Sequence, residues 1–90
     1  MPSTVELISY IAAFLTTASF LPQAILTIKT RNTESLSLPM YSGFTCGVLL
    51  WLIYGIQIAD EAIIVANAIT FLLSASILTV KIINIVHGKD

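Results

Sequence analysis

The sequence predicts an all-α integral membrane protein built from three spanning helices. Three observations carry that expectation. Apolar residues make up 57% of the chain and charged residues only 10%, whereas a soluble domain carries about 25% charge. The few charges are segregated, and none lies within Leu7–Ile28, Met40–Ile58 or Ala62–Val80. Each of these runs has nineteen residues or more, enough at ~1.5 Å rise per residue to cross a hydrocarbon core. A single three-helix membrane domain over residues 1–90 follows, with spans near 7–28, 40–58 and 62–80.

The first element opens on Ser3-Thr4-Val5-Glu6, a capping-box pattern with Ser3 as N-cap. Its apolar run has no preceding Lys or Arg and is longer than a signal-peptide core, so it reads as a retained span. Pro22-Gln23 falls near its end. Proline removes one backbone hydrogen bond and crowds the preceding turn, so a bend is expected there. Within a bilayer such a break needs protein or a water-filled cavity beside it. Gln23 is expected to satisfy backbone groups that the bend exposes. A kinked span with a polar side chain at the kink suits a protein that moves or conducts.

The connection Lys29–Pro39 is polar, and Pro39 suits the first position of the second helix. The second connection is only Ala59-Asp60-Glu61, with Asp60 as the expected N-cap of the third helix. Lys81 follows the third run and is expected to snorkel toward headgroups. Lys29, Arg31, Lys81 and Lys89 all fall on one side of a three-span topology, while Glu6, Asp60 and Glu61 fall on the other. Basic residues favour the cytoplasmic side. The N-terminus is therefore expected outside and the C-terminus in the cytoplasm.

Enzyme chemistry has nothing to stand on. The lone histidine, His87, lies in the polar tail, and no metal-ligand cluster, catalytic triad pattern or Gly-rich phosphate loop occurs. No cofactor is expected, and no basic patch with interleaved aromatics invites nucleic acid. Cys46 is alone, which excludes an intrachain disulfide, and reads as a small apolar filler.

Two side chains inside the spans point to a ligand. Gly43, Gly47, Trp51 and Gly55 recur every four residues on the second helix, a pattern that admits close helix approach and whose glycines leave open space beside the Trp51 ring. Trp51 lies seven residues inside Ile58, ~10 Å deep by helical rise and below the usual aromatic belt. On the third helix Asn67, Thr70 and Ser74 form a polar stripe. The hydroxyls can bond back to their own helix, but the Asn67 carboxamide must be paired, by another helix or by a ligand. Trp51 and Asn67 stand eight residues before and after Ala59, so an antiparallel hairpin sets them at one depth. Thr16, Phe20, Gln23 and Thr27 share a face of the first helix. An aromatic plane beside a carboxamide suits a sugar, whose C–H groups pack on the ring while its hydroxyls meet the amide.

No Asp, Glu, His, Lys or Arg lies inside a run, and ion- or proton-coupled sites normally need one. A neutral solute moving down its gradient is the expected cargo. Three helices cannot enclose a pathway for it, so a twofold homodimer is expected.

These residues resemble a known family. FLTTASFLPQ (14–23), TRNTESLSLPMY (30–41), GVLLWLIYG (47–55) and D-x-x-I-x-x-A-N ending at Asn67 are similar in order and spacing to the bacterial SemiSWEETs, half-size relatives of the SWEET sugar transporters. The resemblance spans nearly the whole chain, and although Pro-Gln is shared across the wider PQ-loop group, its combination with Trp51 and Asn67 is specific. It implies a half-transporter that forms a parallel homodimer in the bacterial plasma membrane, with the third helix between the first two and a sugar carried by alternating-access uniport. By position it makes Trp51 and Asn67 the sugar-binding pair, Pro22 and Gln23 the hinge, Tyr54 and Asp60 an outer gate and Met40 an inner one. Some members have an arginine where this chain has Ile58; here a Tyr54–Asp60 hydrogen bond would stand in for a charge-paired gate. The partners implied are a sugar, membrane lipid and a second copy of the chain. Two rivals remain: a non-transporting helical scaffold or subunit, and an amino-acid transporter of the PQ-loop type, against which the lack of a buried charge weighs.

Overall fold

The computed structural model describes residues 3–90. Residues 1 and 2, which the expected domain includes, lie outside the described residues. Ser3 starts α1 (Thr4–Thr30), its hydroxyl accepting the Glu6 amide at 3.2 Å. Arg31 ends the helix in the left-handed conformation, φ 57°, with its N–H on the Thr27 carbonyl. Ser37 caps α2 (Leu38–Ile58), so Pro39 takes the second helical position rather than the first. Proline is tolerated there because the first-turn amides have no intrahelical acceptor.

The hairpin between α2 and α3 (Glu61–Val86) is closed by two residues. Ala59 turns left-handed at φ 55°, bonding back to Ile56, while the Asp60 amide reaches the Gly55 carbonyl at 3.0 Å. The Asp60 carboxylate then accepts the Ile63 amide at 3.1 Å and starts α3. The Asp60 cap is as expected.

The layer order is α1–α3–α2, with α3 packed against both neighbours and the backbones of α1 and α2 apart. One aromatic contact spans the gap: Phe20 and Phe44 meet at 6.1 Å between ring centres, tilted by 59°. The core sits toward the end that carries the basic residues. Ala24, Tyr41 and Ile77 are buried there, with Phe20, Ile28, Leu36, Leu73 and Leu78 packed around them.

Elsewhere large apolar side chains point outward. Phe14 is 70% exposed, and Leu50 and Leu72 are each 67% exposed. In water such a surface would drive aggregation; in lipid it is the ordinary outer face of a bundle. All three helices are long and apolar enough to span, and the chain is a multi-pass membrane protein. Hydroxyls along the helices are satisfied locally, as Thr16, Thr27, Thr45 and Ser74 bond to carbonyls three or four residues back.

Lys81 departs from expectation. Its ammonium does not reach for headgroups but is buried, bonding the Thr33 carbonyl at 2.9 Å and the Asp90 carboxylate at 3.1 Å. Asn84, one turn further on, donates to the Arg31 carbonyl and the Thr33 hydroxyl, both at 2.9 Å. Thr33 in turn donates to Asp90. The loop after α1 folds over the end of α3, and its carbonyls offer the lysine partners that a bare helix end would not. The Asp90 carboxyl is held below its ordinary value by the Thr33 hydroxyl and then by Lys81, against the opposing effect of burial.

Candidate functional site

Helix geometry sorts the residues of α2 by face. At 100° per residue a four-residue spacing drifts by 40° each step, so the glycine stripe is not straight. Gly55, three steps from Gly43, has turned into the α3 interface and is buried. At Gly43 and Gly47 an added methyl would meet nothing within 4 Å. The stripe is therefore two features: a packing glycine at Gly55, and at Gly43 and Gly47 the open space expected beside Trp51.

That open face also carries Met40, Trp51 and Tyr54, which are 60%, 56% and 48% exposed. Trp51 and Tyr54 meet edge to face at 5.7 Å. The residues expected as inner gate, sugar platform and outer gate thus share one unpartnered face, while Tyr41, Thr45, Val48 and Gly55 are buried on the other side.

Asn67 lies one turn along α3 from Ile63, half-buried, with its amide nitrogen donating to the Ile63 carbonyl at 2.9 Å. This satisfies one of two amide hydrogens; the carboxamide oxygen has no hydrogen bond among the described residues. Three of its four hydrogen-bonding positions are thus uncommitted among the described residues. Trp51 and Asn67 stand on adjacent antiparallel helices, each one turn from the Gly55–Ile63 crossing.

On α1 the helix runs unbroken through Pro22. Pro22 and Gln23 are both exposed, next to Ala24, which is fully buried. The Gln23 carboxamide makes no hydrogen bond among the described residues, so it does not cap backbone groups at the proline. The Gln23 carbonyl is met instead by the Thr27 hydroxyl at 2.9 Å. The Tyr54–Asp60 bond is likewise not made within the chain, because the Asp60 carboxylate is committed to capping α3 and Tyr54 turns to Trp51.

At that end α1 is tied to α3 by Tyr10, whose hydroxyl donates to Glu61 at 3.4 Å. Sequence reasoning missed this pair, and also Thr33, Asn84 and Asp90. Asn84 carried a usable signal, since it stands three residues after Lys81 on the same helical face. An apolar cavity of about 420 Å³ opens between α1 and α3, lined by Tyr10, Ala13, Phe14, Val65 and Ile69 among others. It contains none of the expected site residues and is lined by α1 and α3, not by the α2 face that carries Trp51.

A three-helix membrane unit with its middle helix last in sequence, and its deep aromatic and carboxamide left open, defines a half-bundle of the PQ-loop class. Residues 4–63 match the PQ loop repeat family. The chain is 47% identical over 81 residues to a sugar transporter SemiSWEET of Escherichia coli, covering 90% of this chain and 91% of that one. A SemiSWEET sugar transporter of Leptospira biflexa is also 47% identical, over 86% of this chain and 91% of the relative. Among solved structures, SemiSWEET in the inward-open conformation superposes with a TM-score of 0.84 at 46% identity, over 91% of this chain and 95% of that one. A bacterial homologue of SWEET transporters gives 0.74 at 35% identity, over 89% and 96%. The chain belongs to the SemiSWEET family, a family of transporters rather than enzymes.

Proposed function

We propose that the protein is a facilitative sugar transporter, a homodimeric uniporter that carries a neutral mono- or disaccharide by alternating access. The observation that carries this is the Trp51 ring, deep in α2, half-exposed and beside open space at Gly47, with, at the same level, an Asn67 amide that commits one of its four hydrogen-bonding positions. One chain leaves this face uncovered, and a second copy related by an axis along the membrane normal would close it into a pocket holding two rings and two amides. The names of the relatives support sugar as the cargo. The charge pattern supports a plasma-membrane placement with the N-terminus outside and the C-terminus cytoplasmic.

On this reading the ring packs on the sugar's C–H face and Asn67 exchanges hydrogen bonds with its hydroxyls. Met40 closes the cytoplasmic mouth, Tyr54 with the Asp60 hairpin closes the outer one, and Pro22-Gln23 is the hinge between the two states. No Asp, Glu, His, Lys or Arg lies within the apolar runs, which favours uncoupled movement over proton or sodium coupling. Purified protein in liposomes should exchange labelled sugar with no ion gradient present. Uphill accumulation driven by a proton or sodium gradient would refute uniport, and absence of any sugar flux would refute the cargo.

A further inference from the structure

We infer that Gly55 is a positioning residue for the Trp51–Asn67 pair, fixing the separation of the helices that carry the two side chains; the inference rests on the sugar-binding reading above. Gly55 is buried where α2 crosses α3. A methyl group there would stand 2.6 Å from Ile63 Cγ2, 3.1 Å from Ile63 Cβ and 3.3 Å from the Ile64 backbone nitrogen. Carbon atoms in comfortable contact are ~3.5–4.0 Å apart, so something must move. Ile63 cannot swing aside cheaply, because a β-branched side chain on a helix has one strongly preferred rotamer. The Ile64 nitrogen is backbone and cannot rotate away at all. The remaining response is for α2 and α3 to separate or slide.

That response is transmitted to the site by short links. Trp51 is one turn before Gly55 on α2, and Asn67 is one turn after Ile63 on α3. The helices are antiparallel, so both steps lead the same way along the bundle and end ~6 Å from the crossing. Asn67 is moreover hydrogen-bonded to the carbonyl of Ile63 itself. A displacement of Ile63 therefore carries the amide with it, while the indole moves with α2. The gap between ring and amide is set by how closely Gly55 admits Ile63. Gly43 and Gly47 have no such neighbour within the chain.

The test compares wild type, Gly55→Ala and the double variant Gly55→Ala/Ile63→Ala as purified dimers, with glucose and sucrose as probes. Binding is read by calorimetry and turnover by liposome exchange. The Ile63→Ala change removes Cγ2, the closest atom, and leaves the carbonyl that holds Asn67. Binding geometry tolerates only ~0.5 Å of error. Gly55→Ala should therefore weaken sugar binding about tenfold while turnover at saturating sugar falls less, and the second change should restore most of the affinity.

A folded Gly55→Ala dimer with wild-type affinity overturns the inference, as does a double variant that binds no better than the single. Should Gly55→Ala alone fail to fold, the double variant decides: near-wild-type affinity supports the inference, and weak binding or failure to fold overturns it. A wild-type protein that binds neither sugar overturns the proposed function, and the inference with it.

Discussion

Trp51→Ala separates a binding role from a packing role because the structure makes the two costs unequal. The indole is 56% exposed, its one aromatic neighbour is Tyr54 at 5.7 Å, and Gly47 leaves the space beside it empty. Truncation therefore opens no closed cavity within the chain. The stability loss is that of one aromatic pair, ~0.5–1.5 kcal/mol, against the ~3–5 kcal/mol of a buried aromatic. Binding loses more. On the proposed reading each ring packed on a sugar face contributes roughly 0.5–1.5 kcal/mol, and the proposed twofold dimer presents two, so ~1–3 kcal/mol is removed. At ~1.4 kcal/mol per factor of ten, affinity should fall between about fivefold and 150-fold while the dimer persists. Native mass spectrometry and calorimetry on the same sample check both halves, and Trp51→Phe should retain part of the affinity. Binding within about twofold of wild type would remove the ring from the site. A variant that falls apart into monomers would make the ring an assembly contact instead.

Asn67→Ala should abolish most sugar binding, at ~1–3 kcal/mol per unmet hydroxyl partner, with dimer mass unchanged, since its one side-chain bond among the described residues is to its own helix; loss of the dimer would favour the scaffold reading. Pro22→Ala should slow exchange more than it weakens binding, because alanine restores an amide that bonds the Ala18 carbonyl and stiffens α1; unchanged exchange rates would reduce the proline to a static feature. Lys81→Met should lower the melting temperature and leave sugar affinity intact, since the lysine joins the loop to α3 far from Trp51; a loss of affinity would tie this cluster to the site. Because the Asp90 carboxyl lies below its ordinary 3.8 in the folded protein, its stabilising contribution is complete above that pH and is lost as pH falls through the lower folded value. Melting curves should therefore show no Asp90-dependent change between pH 5 and 7, with the difference from Asp90→Asn shrinking only at stronger acidity.

The three helices were legible because lipid imposes a one-dimensional constraint: a run long enough and free of charge reports a span without knowledge of its neighbours. The Asp60 cap was legible for a similar reason, being decided within four residues. What local pattern could not supply was which neighbour a side chain meets. Lys81 reads as a snorkelling lysine until the loop carrying Thr33 is seen to fold over it. Tyr10 and Glu61 are fifty-one residues apart, and nothing in either segment announces the other. The glycine stripe was legible in part: the open space at Gly43 and Gly47 was expected, whereas Gly55 leaves their face because a four-residue period does not keep to one face of a 3.6-residue helix. Trp51 and Asn67 were singled out by side-chain chemistry and by a shared depth that a short hairpin fixes, whereas the hydrogen bond from Asn67 to the Ile63 carbonyl needed coordinates.

Packing along the bundle is uneven, and the unevenness bears on how α1 could move. From Ala24 onward α1 is held: Ala24 and Thr27 are buried, Ile28 packs on the core, and Arg31 and Thr33 are tied to Asn84 and Lys81. Before Pro22 the same helix is mostly exposed, with Phe14 70% and Leu15 57% open, and among the described residues its polar tie to α3 is the Tyr10–Glu61 bond. The proline thus stands at the border between a fastened half and a loosely held one. A missing backbone hydrogen bond is most useful at such a border, because bending there disturbs few contacts on one side and is braced on the other. On the proposed reading the fastened end is cytoplasmic. Motion about Pro22 within a protomer would then swing the outer half of α1 against a fixed base, and the inner mouth would open by moving whole bases apart across the dimer axis.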